Sequence, residues 1–270
     1  MCELFAMSSL APTSVGFSLE RLARRGGAEG PHSDGWGVAY YQQNDALLLR
    51  EPSAASESRL AKHVERFGPP SALVISHIRL ATRGTATLSN TQPFSRELGG
   101  RSHVFVHNGE LDADLKTHPR QAERFRPIGE TDSERVFCSL LNRLAALWQD
   151  PGHQVPSLDA RLDCFAHFAA EQRALGVANF LYTDGDALFI HAHQRTPPGS
   201  EEVLPGLHVL ERSCQEGVPD TTESGVMLPT IQQNLTLVAS VPLTDEPWRA
   251  LKSGEVLVIQ HGSICRHRRD

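Results

Sequence analysis

Strand-like runs lie toward both ends of the chain, helical runs gather between them, and strand and helix do not alternate in βαβ fashion. Together these features predict an α+β protein of packed layers. Ser18 to Arg25 reads as a short helix, with Ser18 able to cap its start and Gly26-Gly27 to end it. Gly35 to Tyr41 and Ala46 to Arg50 read as strands joined across Asn44-Asp45, a hairpin signal. Ser58 to Phe67 follows as a helix stopped by Gly68-Pro69-Pro70. Ala72 to Ile78 is a short β-rich run suited to a buried strand, and His103 to His107 is another, ending at Asn108-Gly109. Thr131 to Trp148 is the clearest helix, because Val136, Leu140, Leu141, Leu144 and Leu147 recur at helical spacing on one face. A second helix covers Leu158 to Ala174 after the Pro151-Gly152 break, and Asn179 to Ile190 reads as a hairpin turning at Asp184-Gly185. The remainder reads as short strands, best at Leu235 to Val241 and Glu255 to Gln260. Polar and Pro-rich loops separate them at Thr196-Pro197-Pro198-Gly199 and Gln215 to Ser224.

A length of 270 residues allows one large domain or two small ones, and 40% hydrophobic with 21% charged residues supports a sizeable core. The formal net charge of −6 argues against a nucleic-acid partner. No apolar run is long enough for a membrane span, and the N-terminus lacks the pattern of a signal peptide. The five cysteines (Cys2, Cys138, Cys164, Cys214 and Cys265) are odd in number and scattered, without a Cys-x-x-Cys pair. That suits neither a disulfide framework nor a zinc site, and a cytoplasmic protein without membrane partners is expected.

Cys2 is the residue richest in chemistry. Removal of Met1, permitted by a small second residue, would leave a free α-amine and a thiol on one carbon. An unperturbed α-amine titrates at about 7.7–8.0 and a thiol at about 8.5, so the amine can take the thiol proton near neutral pH. One residue then supplies nucleophile and base. The competing structural reading is a small buried residue opening the first strand.

Three further motifs stand beside it. His77-Ile78-Arg79-Leu80-Ala81-Thr82-Arg83-Gly84 puts an Arg at a buried strand end, where its planar fork suits a carboxylate, either a substrate's or one in a salt bridge. Asn108-Gly109-Glu110 offers a side-chain N–H and, if Gly makes a turn, an exposed backbone N–H for a developing oxyanion; alternatively it is only a turn. Thr131-Asp132-Ser133-Glu134 reads as a capping box, with Thr131 and Glu134 satisfying backbone donors and Asp132 left available for an ammonium group. His103/His107 and His191/His193 could each share a strand face as metal ligands, but no third ligand stands at a familiar spacing, so they read as strand residues.

In this order, the N-terminal Cys, the Arg-bearing strand end, the Asn-Gly-Glu segment and the Thr-Asp-Ser-Glu helix start resemble the class II glutamine amidotransferases. These are N-terminal-nucleophile hydrolases that cleave the side-chain amide of glutamine. The match spans roughly the first 150 residues. His32 to Ala39 is similar to the segment beside the nucleophile in stand-alone members, and Ala239-Ser240-Val241-Pro242-Leu243 is similar, less closely, to their C-terminal strand. With no synthetase domain following in the sequence, the stand-alone branch is the nearer likeness.

The resemblance implies a single domain over 1–270, folded as an αββα sandwich of two antiparallel sheets between helical layers, with no cofactor. It implies that Cys2 attacks a γ-glutamyl carbonyl to give a thioester. Asn108 and the N–H of Gly109 would stabilise the oxyanion, Arg79 with Thr82 would hold the α-carboxylate, and Asp132 the α-ammonium. The implied partner is a small γ-glutamyl compound, glutamine or a metabolite. A separate ammonia-accepting enzyme would be a second partner if the protein acts as a transferase subunit. The chain departs from the sugar-aminating members: Leu80 replaces an aromatic residue, Arg83 replaces a His, and an Arg-Gly pair is missing near Ser33-Asp34-Gly35. The wall near the leaving group is therefore expected to differ. A function of another class is a non-catalytic γ-glutamyl-binding protein with Met1 uncleaved.

Overall fold

The computed structural model describes residues 2–15, 22, 26–27, 30–82, 84–111, 124–149, 154–197, 199–214 and 233–269. Met1, all of the Ser18–Arg25 helix but Leu22, Arg83, the Pro151-Gly152 break and the Gln215–Ser224 loop lie outside them. Four strands are β1 (Glu3–Thr13), β2 (Trp36–Gln42), β3 (Asp45–Glu51) and β4 (Ser71–Ile78), with helix α1 (Arg59–Phe67) between β3 and β4. Strands β5 (Phe94–Leu98) and β6 (Arg101–Leu111) precede helices α2 (Asp132–Leu144) and α3 (Leu158–Arg173). Then come β7 (Gly176–Thr183), β8 (Leu188–His191), the short β9 (Gln194–Arg195) and β10 (Leu204–Pro205), and β11 (His208–Cys214). β12 (Gln233–Ala239), β13 (Arg249–Ala250), β14 (Glu255–Gln260) and β15 (Ser263–Arg269) complete the order.

Among the described residues two large antiparallel sheets result, one ordered β13-β11-β12-β1-β4-β2-β3 and the other β15-β14-β8-β7-β6-β5, while β9 and β10 pair as a small separate sheet. Side chains alternate across each strand, so the two faces of β1 enter different cores. Leu4 and Ala6 join Ile75, Val104, Val106 and Leu181 between the sheets, while Phe5 and Met7 join Val74 and Val38 against Ala61 and Val64 of α1. Behind the second sheet, Phe105 stacks on Phe137 of α2 at 5.4 Å between centroids, and Phe165 and Phe168 of α3 complete that core. These faces build helix, sheet, sheet and helices in sequence, the expected αββα sandwich.

Most elements fall where the sequence puts them, and Ser58 caps α1 by accepting the N–H of Ala61 at 2.9 Å. Three expectations need correction. Helix α2 ends at Leu144 rather than Trp148. Its capping box is half formed: Thr131 Oγ1 accepts the Glu134 N–H at 3.3 Å, but the Glu134 carboxylate accepts from Arg96 at 2.5 Å and from the Gly129 N–H at 2.6 Å. Finally, Asn108-Gly109 is not a turn. Strand β6 runs through it to Leu111, paired with β7 as Asn108 with Asn179 and Gly109 with Ala178. Gly109 is needed for close approach, since a Cβ there would lie 1.8 Å from the Val177 carbonyl oxygen.

The histidines considered as metal pairs are taken up by the fold. His103 bonds Tyr182 Oη at 2.7 Å and the Leu98 carbonyl at 3.0 Å, and His191 Nδ1 donates to the Ala178 carbonyl at 2.8 Å. Burial pushes His77 and His191 down to about 3 and His103 to about 4, and lowers His107 as well. An unfolded chain protonates its histidines near pH 6.5. Below that pH the unfolded state binds protons that the fold excludes, so stability is complete above about pH 6.5 and falls as the pH drops toward 4. Each excluded proton contributes a slope of about 1.4 kcal/mol per pH unit in this window. His77 is the sharpest case, because it is fully buried and the neighbouring Arg79 charge further opposes its protonation. His77→Leu should therefore show a shallower fall of Tm between pH 6.5 and 4.5 than the parent. Parallel curves would place the acid sensitivity on another group.

Candidate active site

The strand register brings the distant motifs together. Glu3 pairs with Ile78 and Leu4 with His77, and the same antiparallel pairing carried one step further sets Cys2 opposite Arg79. Since Leu4 faces the layer between the sheets, alternation turns Cys2 toward it as well. Cys2 Sγ accepts the Leu80 N–H at 3.4 Å and its S–H donates to the Leu80 carbonyl at 3.5 Å. Burial pushes the thiol up, and the Leu80 hydrogen bond and the Arg79 charge oppose this without reversing it. Cys2 therefore opens a buried strand, as the structural reading has it, and it also lines a cavity.

Arg79 is only 3% exposed. Its guanidinium donates to the carbonyls of Asp34, Thr85 and Gly84 at 3.4, 3.1 and 3.2 Å. Asp34 in turn accepts the Ala81 N–H at 2.8 Å. The segment after β4 is folded around the Arg79 cation, and that segment holds the Cys2 sulfur. Across the cavity, Asp132 stands in the first turn of α2. One carboxylate oxygen accepts the Leu111 N–H at 3.0 Å and the other accepts the Ser133 N–H at 2.8 Å. Asp132 therefore also ties the end of β6 to the helix start, which the sequence did not show.

Cys2, Arg79, Thr82, Gly109 and Asp132 line one cavity of about 170 Å³, with a cation and a carboxylate on its wall. Thr82 is exposed at its edge. Asn108 is not among the cavity-lining residues. It is fully buried and faces the inter-sheet layer, with Nδ2 3.4 Å from Ser240 Oγ and Oδ1 without a hydrogen-bond partner. Five of the six candidate residues meet in the cavity, and the sixth lies behind its wall.

Sequence reasoning missed the supports. Glu3, adjacent to Cys2, receives a two-pronged contact from Arg195 at 3.3 and 3.2 Å, and both side chains are buried. His32 Nε2 lies 3.9 Å from the same carboxylate. Gln92 clamps the backbone of His107 in both directions, at 2.6 and 3.2 Å. The only local signal was a charged residue at position 3 in an otherwise apolar strand opening. Its partner lies 192 residues away.

The αββα sandwich is the architecture of N-terminal-nucleophile hydrolases. A family model for class II glutamine amidotransferases matches residues 1–269, and the chain belongs to that family. The Escherichia coli protein named "Putative glutamine amidotransferase YafJ" is 36% identical over 262 residues, 94% of this chain and 96% of that protein. A crystal structure of a "predicted glutamine amidotransferase" from Pseudomonas aeruginosa is 32% identical, with a TM-score of 0.67 over 98% of this chain and all of the other. The glutamine phosphoribosylpyrophosphate amidotransferase of B. subtilis shares the fold at 16% identity and a TM-score of 0.60, over 99% of this chain and 49% of that one. Among the described residues, no helix is long and apolar enough to cross a membrane.

Proposed function

We propose that the protein is an N-terminal-cysteine amidohydrolase acting on the γ-glutamyl amide of glutamine or a small γ-glutamyl metabolite. Membership of the family supports hydrolysis or transfer of the glutamine amide in general. The observation that supports the finer reading is that Cys2 lines the same cavity as the buried Arg79 guanidinium and the carboxylates of Asp132 and Glu110. An α-amino acid offers the complementary pair, a carboxylate for Arg79 and an ammonium for Asp132. Thr82, at the cavity edge, would assist Arg79.

Once Met1 is removed, the α-amine of Cys2 takes the thiol proton and the sulfur adds to the δ-carbonyl. In this reading the oxyanion meets Gly109, which lines the cavity as part of a strand rather than a turn, and the Asn108 side chain, which must reach it from behind the wall. The C–N bond then breaks, the leaving amine departs with the proton held by the α-amine, and a thioester remains. Water adds to that thioester, releasing the γ-carboxylate and restoring the thiol. If the released ammonia is delivered to an acceptor enzyme, the same chemistry serves a transferase. The 1–270 chain acts in this reading as a single domain in the cytoplasm, without a cofactor.

Intact-mass spectrometry of the protein processed in its native host, exposed to a panel of γ-glutamyl amides, tests this. Loss of Met1 and a transient mass gain of one γ-glutamyl group are expected, with release of ammonia or amine. Retained Met1 and no acylation by any panel member would leave a γ-glutamyl-binding protein instead.

Asp132 offers a separate check. If its role is confined to the fold, Asp132→Asn should weaken its bonds to the Leu111 and Ser133 N–H groups, costing about 1–3 kcal/mol, and leave substrate preference unchanged. If it holds the ammonium, kcat/KM for glutamine should fall more than about tenfold further than for an analogue without the α-amine, since a charge-assisted hydrogen bond contributes roughly 1.5–3 kcal/mol. Thr131→Ala removes the helix cap and a neutral hydroxyl from the cavity lining but no charge, and should cost about 1 kcal/mol without altering that preference. Equal losses on the two substrates would move the ammonium contact elsewhere.

A further inference from the structure

Ser240 follows β12 and is buried at a junction of three strands. Its N–H donates to the Leu4 carbonyl at 3.0 Å, and its Oγ accepts the Leu4 N–H at 2.9 Å. Its carbonyl accepts from Arg195 at 3.2 Å, the same guanidinium that grips Glu3. Its Oγ also lies 3.4 Å from Asn108 Nδ2. One residue thereby touches the strand that starts with the nucleophile, the ion pair beside it, and the Asn placed as oxyanion donor.

The hydrogen-bond count at this junction is unbalanced. With Nδ2 toward Ser240, Asn108 Oδ1 is buried without a partner, which is unfavourable. The hydroxyl meanwhile has its own proton to donate. A half-turn of the amide gives the hydroxyl its acceptor: Ser240 Oγ–H donates to Oδ1 while Oγ still accepts the Leu4 N–H. Nδ2 then takes the unpartnered place in the inter-sheet layer, as a donor left for a substrate oxygen. We infer that Ser240 is a positioning residue, whose hydroxyl holds Asn108 with its amide N–H turned toward the substrate oxygen. This deepens the amidohydrolase reading and rests on it.

The experiment combines turnover of Ser240→Ala, Asn108→Ala and the double variant with the rate at which iodoacetamide alkylates Cys2. Alkylation forms no oxyanion, so it reports the thiol alone. In Ser240→Ala, kcat should fall at least tenfold with KM unchanged. Alkylation should stay within about twofold, because the Ser240 N–H to Leu4 bond still anchors the strand. The double variant should be no slower than Asn108→Ala, since Ser240 acts through Asn108. Equal losses in turnover and alkylation would show a purely structural role, and additive losses would show that Ser240 acts by another route; either overturns the inference. If Ser240→Ala does not fold, Ser240→Cys, of similar size and a weaker donor, carries the same comparison. The Asn108 side-chain 13Cγ resonance provides a readout without turnover: removal of the hydroxyl should move it in the sense of a lost hydrogen bond to oxygen, and an unmoved signal would overturn the contact. Should the parent hydrolyse no γ-glutamyl amide, the functional reading fails while this resonance still decides the Ser240–Asn108 bond.

Discussion

Cys2→Ala should abolish turnover and labelling by an electrophilic glutamine analogue, while Ser in place of Cys138, Cys164, Cys214 or Cys265 should leave both intact. Cys138 is buried in the core behind the second sheet, with Cys164 and Cys265 packed against it. Burial pushes the Cys164 and Cys265 thiols up, and Cys265 Sγ is held on the Val258 carbonyl at 3.4 Å. A thiol kept protonated is a poor nucleophile. Cys138→Ser should lower Tm, because a hydroxyl enters an apolar cluster at about 1–3 kcal/mol, but kcat should not follow. The Cys2 thiol is also pushed up by burial, so position alone does not activate it. In the proposed mechanism its own α-amine is the base, and a form with Met1 retained should be as inactive as Cys2→Ala. Labelling of Cys2→Ala, or full turnover with Met1 in place, would remove Cys2 from the chemistry.

The fold and the site were legible to different depths, for physical reasons. Local periodicity and end signals placed α1, α3, β4 and the β7–β8 hairpin, because a helix face or a buried strand is written in neighbouring residues. Strand β15 was not singled out. It lies at a sheet edge, and its Arg266, His267, Arg268 and Arg269 hide the apolar alternation behind charge. The Asn108-Gly109 signal was misread as a turn because β7 overrides it: pairing on both sides of Gly109 leaves room for no Cβ, and that demand looks identical in sequence to a demand for a turn. At the site, Cys2, Arg79 and Asp132 were visible because each sits in a short motif. The Glu3–Arg195 and Asn108–Ser240 contacts join residues 192 and 132 positions apart, and nothing in either local sequence names its partner. The same distance explains the half-formed capping box. Glu134 has the composition for it, but Arg96, brought in by β5, offers a stronger, charged donor.

Asn108→Ala and Arg79→Ala should fail in different ways, and the difference tests both roles together. An oxyanion donor meets charge that exists only during reaction, so its removal should lower kcat by about 10²–10³ and leave KM nearly unchanged. The α-carboxylate is present in ground and transition states alike, so loss of Arg79 should act mainly on KM. The structure adds a complication to the second variant. Arg79 also gathers the carbonyls of Asp34, Gly84 and Thr85, and the segment so folded carries Leu80, whose backbone holds the Cys2 sulfur. Arg79→Ala should therefore lower kcat somewhat as well, through a loosened nucleophile. Arg79→Lys separates the two effects, because it keeps a cation in the cavity but loses the planar fork that reaches several acceptors at once. If substrate binding dominates, the Lys variant should recover much of the KM of the parent. If bracing of the loop dominates, it should resemble Arg79→Ala in kcat, and its Cys2 should alkylate with iodoacetamide at the altered rate of the Ala variant. Asn108→Ala should leave that alkylation rate untouched. An unchanged KM in Arg79→Ala together with a raised KM in Asn108→Ala would reverse the assignments, placing the carboxylate near the inter-sheet wall and the reacting carbonyl at the cation.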